Sequence, residues 1–152
     1  MYQTYRIFTD GSAIGNPGPG GWRVVVVQGN HRWEMSGAYP WTTISEMELV
    51  AAVQALRSVE GRARIELHSD SEYLIYGMRA FVFRWRRHGW RNRRGNQLQH
   101  RELWTELIKL NTSLSIRWKW IKGHNGHREQ TRADALAYQA ARAFWLRERA
   151  AA

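Results

Sequence analysis

Apolar and polar residues alternate from the start of the chain. Tyr5, Ile7 and Thr9 interleave with Arg6, Phe8 and Asp10, the two-residue period of a strand, which this reading ends at Asp10. Residues 11–21 are crowded with glycine and proline and read as a turn region. Residues 22–28 and 31–39 then read as two strands joined at Gly29-Asn30, completing an antiparallel meander with the first. From about Thr43 the period lengthens to that of a helix, with Leu49, Val53 and Leu56 on one stripe. A short strand over 64–69 follows, and Ser71 opens helix that runs past Gly77 towards Arg87. A basic loop over 88–97, a helix from about His100 to Leu110, a last strand over 114–121 and a final helix over 129–147 complete the chain. Three strands followed by alternating helices and strands imply an α/β domain with a mixed sheet. The last two strands should run parallel to the first, through right-handed crossovers. At 152 residues, with no internal repeat or linker, residues 1–152 read as one domain.

Composition narrows the function. The formal charge is +10, and 43% of residues are hydrophobic, enough for a packed core. The absence of cysteine excludes a disulfide scaffold, a thiolate metal site and a thiol nucleophile, and fits a reducing, cytoplasmic setting. No apolar run approaches the ~20 residues of a bilayer span, and the first residues lack the pattern of a secretory signal. A domain this small and this basic suggests a polyanionic partner. Nine tryptophans favour nucleic acid over an anionic membrane surface, since bases and sugars pack on aromatic rings.

In so basic a chain the positions of the few acids are informative. Asp10 closes the first strand and Asp70 the fourth. If those strands are parallel neighbours, both carboxyls emerge at the end of the sheet where α/β folds place their sites. Each also has an ordinary local explanation, Asp10-Gly11 as a turn dipeptide and Asp70 as the cap of the following helix. Glu48 and Asp134 resist such explanations. Ser45, Ala51, Ile44 and Ala52 surround Glu48 at helical spacing, and Thr131, Ala137, Gln130 and Tyr138 surround Asp134, so neither has a local cation. Acids facing a core without partners are costly, and four that converge repel one another.

A pair of divalent cations resolves the conflict. Mg²⁺ takes hard carboxylate oxygens and completes its octahedron with water and phosphate oxygens. Two such ions ~3.5–4 Å apart activate a water and stabilise the leaving oxygen of a phosphodiester. Zinc fits less well, because without cysteine it would depend on His124, His127 and a carboxylate.

The motifs around these acids make the chain resemble the bacterial type 1 ribonuclease H family. They are TDGS at 9–12, GNPGPGG at 15–21, EMEL at 46–49, SDSEY at 69–73, WKWIKGHNGH at 118–127 and RADALA at 132–137. The resemblance extends to about residue 146, with the motifs in the family's order. It implies a five-stranded mixed β-sheet with helices on both faces. It implies an endonuclease that hydrolyses the RNA strand of RNA–DNA hybrids, using two Mg²⁺ or Mn²⁺ ions and leaving 5′-phosphate and 3′-hydroxyl ends. The family's catalytic, metal-binding acids fall on Asp10, Glu48, Asp70 and Asp134, and its mobile catalytic histidine on His124. In that reading Asp10 bridges the two metals, Glu48 and Asp70 complete one shell, and Asp134 holds the ion that activates water. The enzyme is expected to act as a monomer.

From Tyr73 to Arg101 there is no acidic residue, while eight arginines interleave with Phe81, Phe83, Trp85 and Trp90. A run of one sign repels itself, and a phosphate backbone relieves that repulsion. By resemblance this is the family's basic handle, about 81–101. Phe81, Trp85 and Trp90 would pack against the substrate, Arg84, Arg86 and Arg87 would grip phosphates, and Asn16 and Thr43 would lie near the DNA strand. The chain also departs from the family. Ile44 and Ser45 stand where two asparagines commonly read the minor groove, Glu72 replaces a glutamine that reads the RNA strand, and Gln130 replaces a frequent asparagine. None of these removes a metal ligand, so catalysis with altered binding is the expectation. The rival reading is a non-catalytic module that binds hybrids or duplexes. Four intact acids oppose it, since a phosphate binder gains nothing from them.

Overall fold

In the computed structural model the described residues are 2–59, 61–123, 139, 140, 142, 143, 146, 147, 149 and 150. The chain opens with β1 (Gln3–Ala13), β2 (Gly18–Gln28) and β3 (His31–Thr42), then crosses over through α1 (Ile44–Arg57) to β4 (Ala63–Ser69). Helix α2 (Glu72–Tyr76), a π-helical segment (Gly77–Phe81) and α3 (Val82–Arg87) follow, and α4 (Arg101–Ser113) leads into β5 (Ser115–Trp120). The five strands form one sheet in the order β3-β2-β1-β4-β5. β1 pairs antiparallel with β2 and parallel with β4, and β4 pairs parallel with β5, the mixed topology expected.

Strand β1 does not stop at Asp10. It pairs onward with β2 through Gly11↔Trp22, Ser12↔Gly21 and Ala13↔Gly20, so the turn-rich stretch shrinks to residues 14–17. Gly11 and Gly20 serve close packing, while Gly15, at φ 87°, serves the turn. An added Cβ on Gly11 would stand 2.6 Å from the Glu48 nitrogen and the Met47 carbonyl carbon, so α1 lies on β1 backbone to backbone. In the valine run of β2, Val24, Val25 and Val26 are buried and Val27 is half-buried. Val24 and Val26 join the main core with Ile7, Leu49, Leu67 and Trp104, while Val25 packs with Phe8 on the opposite face.

The helix expected from Ser71 to Arg87 is interrupted by the π-helical segment. There the buried Trp104 indole sits against Gly77, where a Cβ would fall inside the ring's van der Waals surface. Trp104 is further enclosed by edge-to-face contacts from Tyr73 and Trp85. This aromatic cluster fixes the root of the arginine-rich segment to α4. The final helix expected over 129–147 lies mostly outside the described residues.

Candidate active site

Three of the four singled-out acids come together. One carboxylate oxygen from each of Asp10, Glu48 and Asp70 lies within 4.8 Å of the others. Their convergence follows from the fold. The parallel register Phe8↔His68 carries Asp10 and Asp70 to the same level at the same end of adjacent strands. The close approach at Gly11 then lowers the first turns of α1 so that Glu48 joins them. Asp10 is 7% exposed and Glu48 4%, so two carboxylates are largely withdrawn from water beside a third.

The local chemistry spares the Asp70 side chain from capping. Ser71 is the N-cap of α2, its Oγ accepting from the Leu74 N–H at 3.2 Å, and the Ser71 N–H donates to Ser69 Oγ at 3.0 Å. That overturns the local explanation in which Asp70 caps the helix. The Asp70 carbonyl accepts from Trp120 Nε1 at 3.1 Å, and the Ile121 N–H donates to the Ser69 carbonyl at 3.0 Å, tying the end of β5 to this loop. Gly123 lies directly against the carboxylate, since a Cβ there would stand 2.7 Å from Asp70 Oδ2. Periodicity gives no hint that Gly11 and Gly123 help to form the site, because a glycine beside a motif residue reads as a turn.

Hard oxygen donors in this arrangement suit a divalent cation. In an octahedron with ~2.1 Å bonds, ligand oxygens lie about 3.0 to 4.2 Å apart, so a span of 4.8 Å needs only a small closure. His124, Asp134 and Gln130 lie outside the described residues.

The residues expected to contact nucleic acid divide into groups. Thr43 and Asn16 both brace the start of α1. Thr43 Oγ1 accepts from the Glu46 N–H at 3.1 Å as the N-cap, and Asn16 Oδ1 accepts from the Ile44 N–H at 3.0 Å. Ser45 is half-buried in the same turn, and Glu72 is exposed in the first turn of α2. Arg84, Arg86 and Arg87 are exposed on α3. Phe81 is exposed and stacks on the half-buried Trp85, ring centroids 5.8 Å apart at 20°. These rings, with Arg84, His88, Arg91 and Arg94, line an open groove of about 820 Å³.

Trp90 is different. It is 6% exposed and belongs to the hydrophobic core, so its ring offers no stacking face. Its backbone sits at φ 61°, held by its N–H on the Trp85 carbonyl at 2.7 Å and by the Leu98 N–H on its own carbonyl at 2.8 Å. The strain of that conformation is tolerated because burying the indole outweighs it. Trp90 anchors the base of the handle.

A half-buried histidine links α4 to α1. His100, at φ 61° before α4, places Nδ1 3.7 Å from Glu46 Oε2, and Glu46 in turn accepts a hydrogen bond from the Thr42 hydroxyl. Burial lowers the His100 pKa below its ordinary value, with the Glu46 charge opposing. Burial likewise pushes the Tyr73 hydroxyl up, opposed by the hydrogen bond it accepts from Trp104 Nε1.

Comparison with known proteins agrees with this geometry. The RNase H family profile matches residues 2–142. The ribonuclease H of Erythrobacter litoralis is 44% identical over 136 residues, covering 90% of this chain and 94% of that one. The ribonuclease H of Pelobacter propionicus is 42% identical over 135 residues, covering 89% and 83%. Among solved structures, LC9-RNase H1, a type 1 RNase H with the type 2 active-site motif, superposes with a TM-score of 0.83 at 28% identity. That match covers 93% of this chain and 73% of the other. LC11-RNase H1, solved with an RNA/DNA hybrid, shares the fold with a TM-score of 0.68 at 22% identity, over 90% of this chain and 96% of that one. The chain belongs to the ribonuclease H family, the endonucleases that cut the RNA strand of an RNA–DNA hybrid.

Proposed function

We propose that this chain hydrolyses the RNA strand of RNA–DNA hybrids at the Asp10–Glu48–Asp70 cluster with two Mg²⁺ ions, or with Mn²⁺ in their place. The observation that carries the proposal is the meeting of three carboxylates, two of them buried, in a chain of charge +10. Convergent acids in a protein rich in phosphate-seeking arginine serve no phosphate binder unless cations complete the site. When bound, the two cations supply an activated water and neutralise charge at the leaving oxygen. Asp10, Glu48 and Asp70 hold them, and we assign Asp134 as the fourth acid and His124 to proton transfer or product release. The exposed arginines of α3 grip phosphates, and Phe81 and Trp85 offer apolar faces to sugars.

Labelled RNA–DNA hybrid, RNA duplex and DNA duplex, incubated with and without Mg²⁺ or Mn²⁺, test this directly. Hybrid alone should be cut, only with metal, to 5′-phosphate ends. Asp10→Asn should abolish cutting while hybrid binding remains, and should keep or raise the melting temperature by relieving repulsion among the acids. Undiminished turnover in Asp10→Asn would place the chemistry elsewhere.

A further inference from the structure

The three converging acids are mounted differently. Asp10 lies inside β1, paired with Arg23 of β2, and Glu48 lies inside α1. Asp70 has neither support. Pairing of β1 with β4 runs as far as Phe8↔His68, and pairing of β4 with β5 as far as Ser69↔Trp120. Asp70 therefore stands one residue beyond the last ladder position, and α2 begins only at Glu72. A residue outside regular structure keeps its backbone freedom unless something else removes it. A carboxylate within 4.8 Å of two others is also pushed away from them while no cation is bound.

Side chains replace the missing ladder. The peptide that joins Asp70 to Ser71 is held at both ends. Its carbonyl accepts from the Trp120 indole N–H at 3.1 Å, and its N–H donates to Ser69 Oγ at 3.0 Å. A peptide unit is planar, so two bonds fix its orientation, and with it the direction in which the Asp70 carboxylate leaves the chain. Both anchors belong to the sheet, Ser69 as the fully buried last residue of β4 and Trp120 as the last residue of β5. The chain just beyond Trp120 also brings Gly123 against Asp70 Oδ2, where a Cβ would stand 2.7 Å away. Core packing does not account for Trp120 as it does for Trp118. Trp118 is buried, with its indole N–H on Asn111 Oδ1 at 2.9 Å, whereas Trp120 is 39% exposed and spends its N–H on a metal-site residue.

We infer that Trp120 is a positioning residue of the metal site: its indole N–H holds the Asp70–Ser71 peptide so that the Asp70 carboxylate stays beside those of Asp10 and Glu48 with no cation bound. The inference rests on the hydrolytic reading above. Trp120→Phe keeps an aromatic ring and deletes the N–H. Mg²⁺ binding to the free protein, followed by calorimetry, should weaken on the order of ten-fold, the lower end of what losing an outer partner of a metal ligand costs. Binding of labelled hybrid in metal-free buffer, followed by fluorescence anisotropy, should be unchanged, and cleavage should need correspondingly more Mg²⁺. Ser69→Ala frees the other end of the same peptide and should weaken Mg²⁺ binding too. The double variant should lose less than the product of the two single losses, because the two bonds hold one unit. Unchanged Mg²⁺ affinity in a folded Trp120→Phe protein, losses that multiply in the double variant, or weaker hybrid binding without metal would each overturn the inference. Wild-type protein that binds Mg²⁺ yet leaves hybrid uncut would instead overturn the hydrolytic reading, so the two failures are separable.

Discussion

Gly11→Ala is a one-methyl perturbation at the contact that brings Glu48 to Asp10. The new Cβ would stand 2.6 Å from two backbone atoms of α1 and 2.7 Å from Met47 Cβ, against the 3.4 Å at which ordinary contact begins. About 0.8 Å must be found, and the neighbours in the way are helix backbone and a fully buried Met47, not a flexible side-chain tip. The helix must lift or tilt. Overpacking of this kind costs about 1–3 kcal/mol, which in a domain of this size lowers Tm by roughly 2–10 °C. The functional cost is larger, because the lift acts at Glu48 and next to Asp10, two of the acids proposed to hold metal. A displacement approaching 1 Å at a reacting centre is worth about 100-fold in rate. Thermal melts and initial rates on hybrid, each over a Mg²⁺ titration, measure the two effects. The expected result is a modest fall in Tm, a rate lower by one to two orders of magnitude, and a raised metal requirement. Wild-type rate and metal dependence in a folded Gly11→Ala protein would show that the backbone contact does not set the carboxylate geometry.

Other perturbations follow from the same geometry. Because burial depresses the His100 pKa, the unfolded chain takes up that proton first as pH falls below about 6.5. Stability is therefore full above that pH and declines beneath it until native His100 is also protonated. His100→Gln should flatten this part of a melting-temperature profile taken between pH 7.5 and 5, and an unchanged profile would refute the assignment. Truncating Arg86 and Arg87 together, both exposed on α3, should weaken hybrid binding and reduce its salt slope by about one unit for each phosphate left without its arginine. Binding with an unaltered slope would mean that these side chains are merely solvated.

The site was more legible in the sequence than the connections that build it. Asp10 and Glu48 stood out in a chain with few acids, Glu48 because local pairing failed to account for it, and the fold buries both. Element positions followed from periodicity, since Thr43 does cap α1 and β4 ends one residue before Asp70. What periodicity misread was glycine. The stretch over 11–21 carried every mark of a long turn, yet most of it is strand, because Gly11 and Gly20 stand where neighbouring chain comes too close for any side chain. A glycine chosen for close approach and one chosen for a left-handed turn look alike until the partner across the gap is known. The same limit hid Gly77, whose missing side chain admits Trp104 and interrupts what reads as one helix.

The tryptophans extend the same lesson to the binding surface. Trp90 lies among arginines and glycines and reads as an exposed stacking ring, but a left-handed backbone turns it into the core. Trp41 lies in a strand whose residues are mostly half-buried or exposed, and a bulge turns it fully out. In both cases one departure from regular backbone reverses what the local pattern says about the side chain. The exposure of an aromatic ring is therefore set here by backbone irregularity as much as by composition. Trp85 stands between these extremes, one edge on Trp104 and one face on Phe81. Its packing against Trp104 ties the handle's aromatic pair to the core, and the Gly77–Trp104 contact ties that core to the helix following Asp70. The rings proposed to meet substrate and the acids proposed to cut it thus share one packed frame, in which a change at Gly77 or Trp104 would disturb both.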